Sequence, residues 1–151
     1  MSNTISKQPV CMVIGAGAGI GGNVAKRFAK EGFHSVLCRR SNQHGLDDLV
    51  REIEKEGGTA SGFLINAVEP ESIEKCVDKV ENEIGHIDTL VFNLGAQVGN
   101  KSLSETTYKI FELGWRLATF SLFRTASSVL PKMEKRGKGS FLVTTSTAAF
   151  R

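Results

Sequence analysis

"VCMVIGAGAGIGGNVAKRFAKEG" (10–32) sets an apolar run, a glycine cluster and a helix-like pattern end to end. The apolar run, together with Pro9, reads as a short buried strand over 9–14. Val24, Ala25 and Phe28 then recur at helical spacing with polar residues between them, and Gly32 stops the helix. A strand that runs into glycines and leaves as a helix presents free backbone N–H groups to phosphate. Gly15 permits a sharp turn directly after the strand, Gly19 lets the backbone approach a pyrophosphate, and Gly21 lets the helix pack tightly. Gly17, Gly19 and Gly22 offer a competing spacing. The first is preferred because it starts immediately after Ile14, where the strand should end.

The same alternation continues along the chain. Residues 34–38 read as a second strand, and 43–56 as a helix with Leu46, Leu49, Val50 and Ile53 on one face. A third strand follows over 59–66, weakened by Gly62. Residues 70–85 form a helix with Ile73, Cys76, Val77, Val80 and Ile84 as its stripe, and Pro70 suits an early helical position. A fourth strand (87–92), a polar stretch, a long helix over 106–133 and a fifth strand (140–146) complete the series. Strand–helix alternation predicts a doubly wound parallel sheet, a Rossmann-like three-layer αβα architecture of about five strands.

A length of 151 residues suits one domain. No stretch approaches the roughly 18 apolar residues of a membrane span, and the first residues lack the apolar core of a signal peptide. The three cysteines, Cys11, Cys38 and Cys76, are too widely spaced for a disulfide framework or a metal knuckle, so a cytoplasmic setting is the default. The net charge of +3 is spread along the chain, and no nucleic-acid module is visible. Lys132, Lys135, Arg136 and Lys138 read as a solvated helix end and turn.

In such a sheet, ligands sit beyond the carboxyl ends of the strands. A nucleoside triphosphate loop is excluded because Gly-Lys-Ser/Thr does not follow the glycines. A methyl donor and NAD would both favour an acidic residue near the end of the second strand, to hold ribose hydroxyls. "VLCRRSN" has none there, but offers Arg39 and Arg40, which can neutralise a 2′-phosphate. NADP(H) is therefore favoured over NAD(H), the alternative being that both arginines are ordinary solvent-facing cations.

Several segments together resemble the short-chain dehydrogenase/reductase family. "GAGAGIG" matches its glycine motif at Gly15, Gly19 and Gly21, with Ile20 inside it and Ile14 in place of the usual threonine. "FNLGA" (92–96) resembles its asparagine-alanine-glycine motif: Asn93 and Gly95 match, and Leu94 replaces the alanine. "GSFLVTTSTAA" (139–149) resembles its fifth strand, with Ser146 at the place of the catalytic serine. Order and spacing agree over nearly the whole chain.

The resemblance implies an oxidoreductase that moves a hydride between a nicotinamide cofactor and a carbonyl/alcohol pair. It implies a serine that orients the substrate oxygen, a tyrosine–lysine pair that handles the proton, and a helix asparagine that supports a relay water. Carried over by position, Ser146 is present and Ala118 stands at the asparagine's place. Asn66-Ala67 stands where the family commonly has Asp-Val around adenine, with a strand-end cap as the alternative for Asn66. Asn93 would support the nicotinamide side of the groove.

The family's tyrosine-x-x-x-lysine segment should follow Ser146, and the sequence stops at Arg151. The only tyrosine, Tyr108, has Glu112 four residues on and reads as a helix-start or surface aromatic. The expectation is thus a single, C-terminally incomplete dinucleotide-binding domain over 1–151 that binds cofactor but lacks the acid/base pair.

Other residues receive structural readings. His34, His44 and His86 lie far apart and form no metal site. Asp88 reads as a cap at a helix-to-strand junction. Phe111, Trp115, Phe120 and Phe123 read as packing for the long helix, against the sheet or a partner, and Cys11 and Cys38 as buried thiols. Two functions follow. One is an NADP-dependent short-chain oxidoreductase taking a small carbonyl or alcohol substrate once further sequence completes it. The other is a noncatalytic nucleotide-binding or protein-interaction module. The helix over 106–133 is the expected surface for a homo-oligomer, and neither nucleic acid nor membrane is an expected partner.

Overall fold

The computed structural model describes residues 8–95 and 101–145. Strand β1 (Val10–Ile14) leads through the glycine turn into α1 (Ile20–Lys30), followed by β2 (His34–Arg39) and α2 (Gln43–Lys55). Strand β3 (Thr59–Leu64), α3 (Ser72–Glu83) and β4 (Ile87–Phe92) come next. After the short turn Leu103–Glu105, the chain forms α4 (Tyr108–Trp115), a π-helical turn (Arg116–Phe120), α5 (Ser121–Arg136) and β5 (Ser140–Val143). The five strands pair in the order β3-β2-β1-β4-β5. All four pairings are parallel, as the alternation of elements predicts.

Every residue of β1 is buried, because helices cover both faces of the sheet. Its side chains alternate with the period of a strand. Val10, Met12 and Ile14 join one core with Ile73, Val77, Val80, Val129 and Met133 from α3 and α5. Cys11 and Val13 join a second core with Ala25, Ala29, Leu46, Leu49 and Ile53 from α1 and α2. The sheet's parallel register brings the carboxyl ends of all the strands to one edge, so Gly15, Arg40, Ile65, Asn93 and Thr144 emerge together there.

Several local expectations are corrected. Strand β3 stops at Leu64 rather than 66, and β5 at Val143 rather than 146. Gly62 does not break β3: a Cβ there would stand 2.8 Å from Leu46 Cγ, so the missing side chain makes room for α2. Pro70 precedes α3, which begins after Glu71 in a left-handed conformation (φ 59°). The long helix runs from 108 to 136, and it is not uniform. At its centre the backbone N–H of Ser121 donates to the Arg116 carbonyl, an i→i−5 bond, and the Ser121 hydroxyl donates to the same oxygen at 2.6 Å.

The basic cluster after Pro131 is not simply solvated. Arg136 grips Glu81 with two bonds of 2.9 and 3.1 Å and also donates to the Ile87 carbonyl. Glu81 is nearly buried, so the pair clamps α5 onto α3 and β4. Lys132 pairs with Asp78, and Lys138 with Asp88. Asp88 therefore ties Lys138 to the start of β1, whose Val10 N–H it accepts at 3.3 Å, rather than capping its own junction. Of the aromatic residues on the long helix, Phe111 and Phe123 remain 69% and 66% exposed, so they do not pack on the sheet. Trp115 and Phe120 stack on each other, with centroids 5.3 Å apart.

Candidate functional site: a groove at the carboxyl edge of the sheet

The glycine turn is built by contact as much as by flexibility. Gly15 has φ +95°, and a Cβ there would stand 2.5 Å from the Asn93 carbonyl oxygen. A Cβ on Gly21 would overlap the Gly15 carbonyl, so α1 can approach the turn only with glycine at that place. The Cys38 carbonyl accepts from Gly15 N (2.8 Å) and Ala16 N (2.9 Å), which moors the turn to β2. Gly19 is the N-cap of α1 and faces open space. No side chain caps that helix, and Ile20, its first residue, is largely exposed. The cradle is therefore open where an anion would approach and closed where the protein packs. The competing spacing is partly occupied too: a Cβ on Gly22 would overlap the Gly17 carbonyl, while Gly17 itself faces open space.

Asn93 holds the other side of the turn. Its backbone N–H donates to the Ile14 carbonyl at 2.8 Å, and its side-chain amide donates to the Gly15 carbonyl at 3.1 Å. Its side-chain oxygen accepts the Thr144 hydroxyl at 2.8 Å. One asparagine thus joins the ends of β1, β4 and β5. Gly95 has open space where a Cβ would be and borders the same groove.

That groove has a volume of about 520 Å³, and Gly17, Arg39, Arg40, Asn93 and Leu117 are among its lining residues. Arg39 ends β2 half-buried, and Arg40 is exposed. Among the described residues neither has an ion-pair partner, although most other arginines of the chain do. A small recess of about 30 Å³ continues from the groove between Cys38, Ile65, Ala67 and Leu94. Another cleft of about 410 Å³, near Met133, Gly139 and Phe141, lies at the amino end of β5, the edge where such sheets do not bind ligands.

Asn66 acts as a local cap. Its amide donates to Glu69 at 2.9 Å, and its side-chain oxygen accepts from Val68 N at 3.4 Å. Ala67 is buried beside it, and its carbonyl accepts both the Ser121 hydroxyl and Arg124 Nη1, each at 3.0 Å. Arg124 is in turn held by Glu74 at 2.8 and 2.6 Å. The guanidinium keeps the Glu74 carboxyl below its ordinary range. Arg116 reaches the neighbouring Val68 carbonyl at 3.3 Å. Sequence reading missed this bracket, because its partners lie far apart in the chain and no motif links them.

The structure therefore brings together Gly15, Gly19, Ile20, Gly21, Arg39, Arg40, Asn66, Ala67, Asn93 and Gly95 at one edge. Ser146 lies outside the described residues. Ala118, expected from the resemblance to stand at the place of the family's helix asparagine, falls within the π-helical turn. Among the described residues no cluster of His, Cys, Asp or Glu could hold a metal, and no helix is long and apolar enough to cross a membrane.

The sequence model of the short chain dehydrogenase family matches residues 9–151, and the chain belongs to that family. It is 34% identical over 140 residues to 7alpha-hydroxysteroid dehydrogenase of Escherichia coli (strain K12), covering 92% of this chain and 54% of that protein. A solved structure of a variant actinorhodin polyketide ketoreductase with NADPH superposes with a TM-score of 0.88 at 29% identity, covering 95% of this chain and 55% of the other. A 7 alpha-hydroxysteroid dehydrogenase complexed with NADH and 7-oxo glycochenodeoxycholic acid superposes at 0.86 with 31% identity, covering 100% and 58%. The chain spans about half the length of the curated relatives it matches.

Proposed function

We propose that the chain is the cofactor-binding part of an NADP-dependent oxidoreductase acting on a carbonyl/alcohol pair. The observation that carries this reading is the placement of Arg39 and Arg40, without ion-pair partners among the described residues, on the same groove as the open glycine turn. When bound, the nicotinamide cofactor supplies or accepts the hydride. The protein's part is to bind, orient and exclude water. The turn Gly15, Gly19, Ile20 and Gly21 receives the pyrophosphate on backbone N–H groups. Arg39 and Arg40 neutralise the 2′-phosphate, Asn66 and Ala67 border the adenine, and Asn93 and Gly95 border the nicotinamide side. Ser146 orients the substrate oxygen. The fit rests on an open cradle and on two cations free to meet an anion, features that a purely structural turn does not need.

The known relatives do not decide between cofactors, since they include complexes with NADPH and with NADH. Calorimetry with both nucleotides tests the reading: tighter binding of NADPH supports it, and equal or tighter binding of NADH removes the phosphate role of the arginines. A polypeptide of these 151 residues is expected to bind nucleotide without reducing a panel of carbonyls, because it holds no tyrosine-x-x-x-lysine pair. Rapid NADPH oxidation by it would overturn that expectation.

A second reading, a noncatalytic nucleotide-binding or interaction module, is favoured by Ala118, which has no amide for a relay water, and by the exposed aromatics of α4 and α5. Association through that helical face would appear in light scattering as a mass that rises with concentration.

A further inference from the structure

The small recess beside the groove is lined by one member of a thiol pair that nucleotide binding does not use. Cys38, near the end of β2, and Cys76, on the inner face of α3, place their sulfurs 3.8 Å apart. Both are free thiols. Cys11, the third cysteine, faces the opposite core across the sheet and cannot reach them. We propose that Cys38 and Cys76 form a redox-modification site, closing to a reversible disulfide that responds to hydroperoxide and weakens nucleotide binding.

The geometry supports both halves. Disulfide formation requires the sulfurs to approach by roughly 1.8 Å, from contact to the bond length near 2.05 Å. Side-chain rotation and a small slide of α3 against β2 can supply that. Such movement does not stay local, since the Cys38 carbonyl is the acceptor for Gly15 N and Ala16 N, and Arg39 and Arg40 follow it directly. A close-packed interior passes a shift at Cys38 to the glycine turn and the arginines together. Burial ordinarily protects a thiol. Cys38, however, lines the 30 Å³ recess, which shares Gly15, Arg39 and Leu94 with the groove and has room for a molecule of roughly water's size.

The roles of the two thiols differ. The hydrogen bond to Cys76, followed by burial, raises the Cys38 thiol well above its ordinary value. The same hydrogen bond, aided by the Lys79 charge, lowers that of Cys76. Cys38, the sulfur on the recess, is the one that peroxide meets. It loses its proton and forms an S–O bond to hydrogen peroxide as the O–O bond breaks; with that proton one water leaves and Cys38 is a sulfenic acid. The Cys76 sulfur, the more readily deprotonated of the pair, then attacks Cys38, forming the S–S bond and breaking S–O, and its proton leaves with the second water. Two thiols lose two electrons in all, and one peroxide becomes two waters.

The bond itself is independent of the cofactor reading, whereas its effect on affinity rests on that reading. The full chain is titrated with hydrogen peroxide, its remaining thiols are alkylated in denaturant, and its peptides are mapped without reduction. The expected product links Cys38 to Cys76, leaves Cys11 alkylated and is reversed by dithiothreitol. Cys11→Ser should still form it, and Cys76→Ser should not. Alkylated Cys38 and Cys76 at every peroxide level, or a link through Cys11, would overturn the proposal. The oxidised chain is expected to bind NADPH about tenfold more weakly, with recovery on reduction. If the reduced chain binds NADPH and the oxidised chain binds it equally, the coupling is wrong although the bond forms. If the reduced chain binds neither nucleotide, the cofactor reading and the coupling that rests on it fail, and the linked peptide still decides the thiol chemistry.

Discussion

The side-chain amide of Asn93 donates to the carbonyl of Gly15 at 3.1 Å, joining two turns 78 residues apart. The same side chain accepts from Thr144 at 2.8 Å. Asn93→Ala removes both bonds and leaves their partners to find others. The expected cost is about 1–3 kcal/mol in denaturant unfolding. Nucleotide affinity should fall with it, because the turn loses its lateral support. Calorimetry on the fraction that remains folded separates the two effects.

The glycines of the turn should divide by what they face. Gly21→Ala drives a methyl group into the Gly15 carbonyl, with an expected loss of roughly 1–3 kcal/mol of stability. Gly19→Ala meets open space and should cost less than Gly21→Ala, about 1 kcal/mol or less for a poorer N-cap. Its larger effect should fall on nucleotide affinity, since the added methyl group stands where a pyrophosphate would approach. Equal loss of stability in the two variants would contradict this division.

Arg39 and Arg40 can be tested by charge. Arg39→Ala with Arg40→Ala should weaken NADPH by about tenfold or more while changing NADH little, because only one of the two carries a 2′-phosphate. The readout is the ratio of the two affinities by calorimetry, which general destabilisation does not move. A proportional loss for both nucleotides would assign the arginines to packing or to the pyrophosphate.

Glu74 gives the bracket around Ala67 a pH signature. Its hydrogen bonds from Arg124 hold its carboxyl below the ordinary glutamate value of 4.5. A carboxylate with a depressed folded-state pKa contributes stability that is fully present above its unfolded-state value and is lost as pH falls through the folded-state one. Wild-type stability should therefore decline as pH drops below about 4.5, and Glu74→Gln should flatten that part of the profile. The check is a series of melting temperatures across the acid range. Identical slopes in the two proteins would remove Glu74 from the account.

Much of the carboxyl edge of the sheet, where the proposed site lies, could be located from the sequence because its signals are local. A glycine-rich turn between a buried strand and an amphipathic helix needs only neighbouring residues to be recognised, and Arg39-Arg40 sits at a predictable distance behind it. The bracket of Glu74, Arg124, Ser121 and Ala67 was not legible. Its members are distant in sequence, and a half-buried arginine on a helix looks like any other surface cation. Arg136 shows the same effect, since its reading as a helix-end charge omitted the nearly buried Glu81 that it clamps. The long helix was anticipated to within three residues at each end, but the π turn at its centre depends on Ser121 reaching the Arg116 carbonyl, which helical periodicity does not reveal.

The sequence by itself determined the fold class and the family, because both rest on patterns repeated along the chain: alternating strand and helix periods, and motifs in a set order. Tertiary structure alone decided which of those residues meet. It set Asn93 against Gly15, Arg124 against Ala67 and Cys38 against Cys76. The physical reason is the parallel sheet. Its crossovers bring residues from distant segments into register at one edge, where contacts of a few ångströms decide which polar groups are held and which stay open to a ligand.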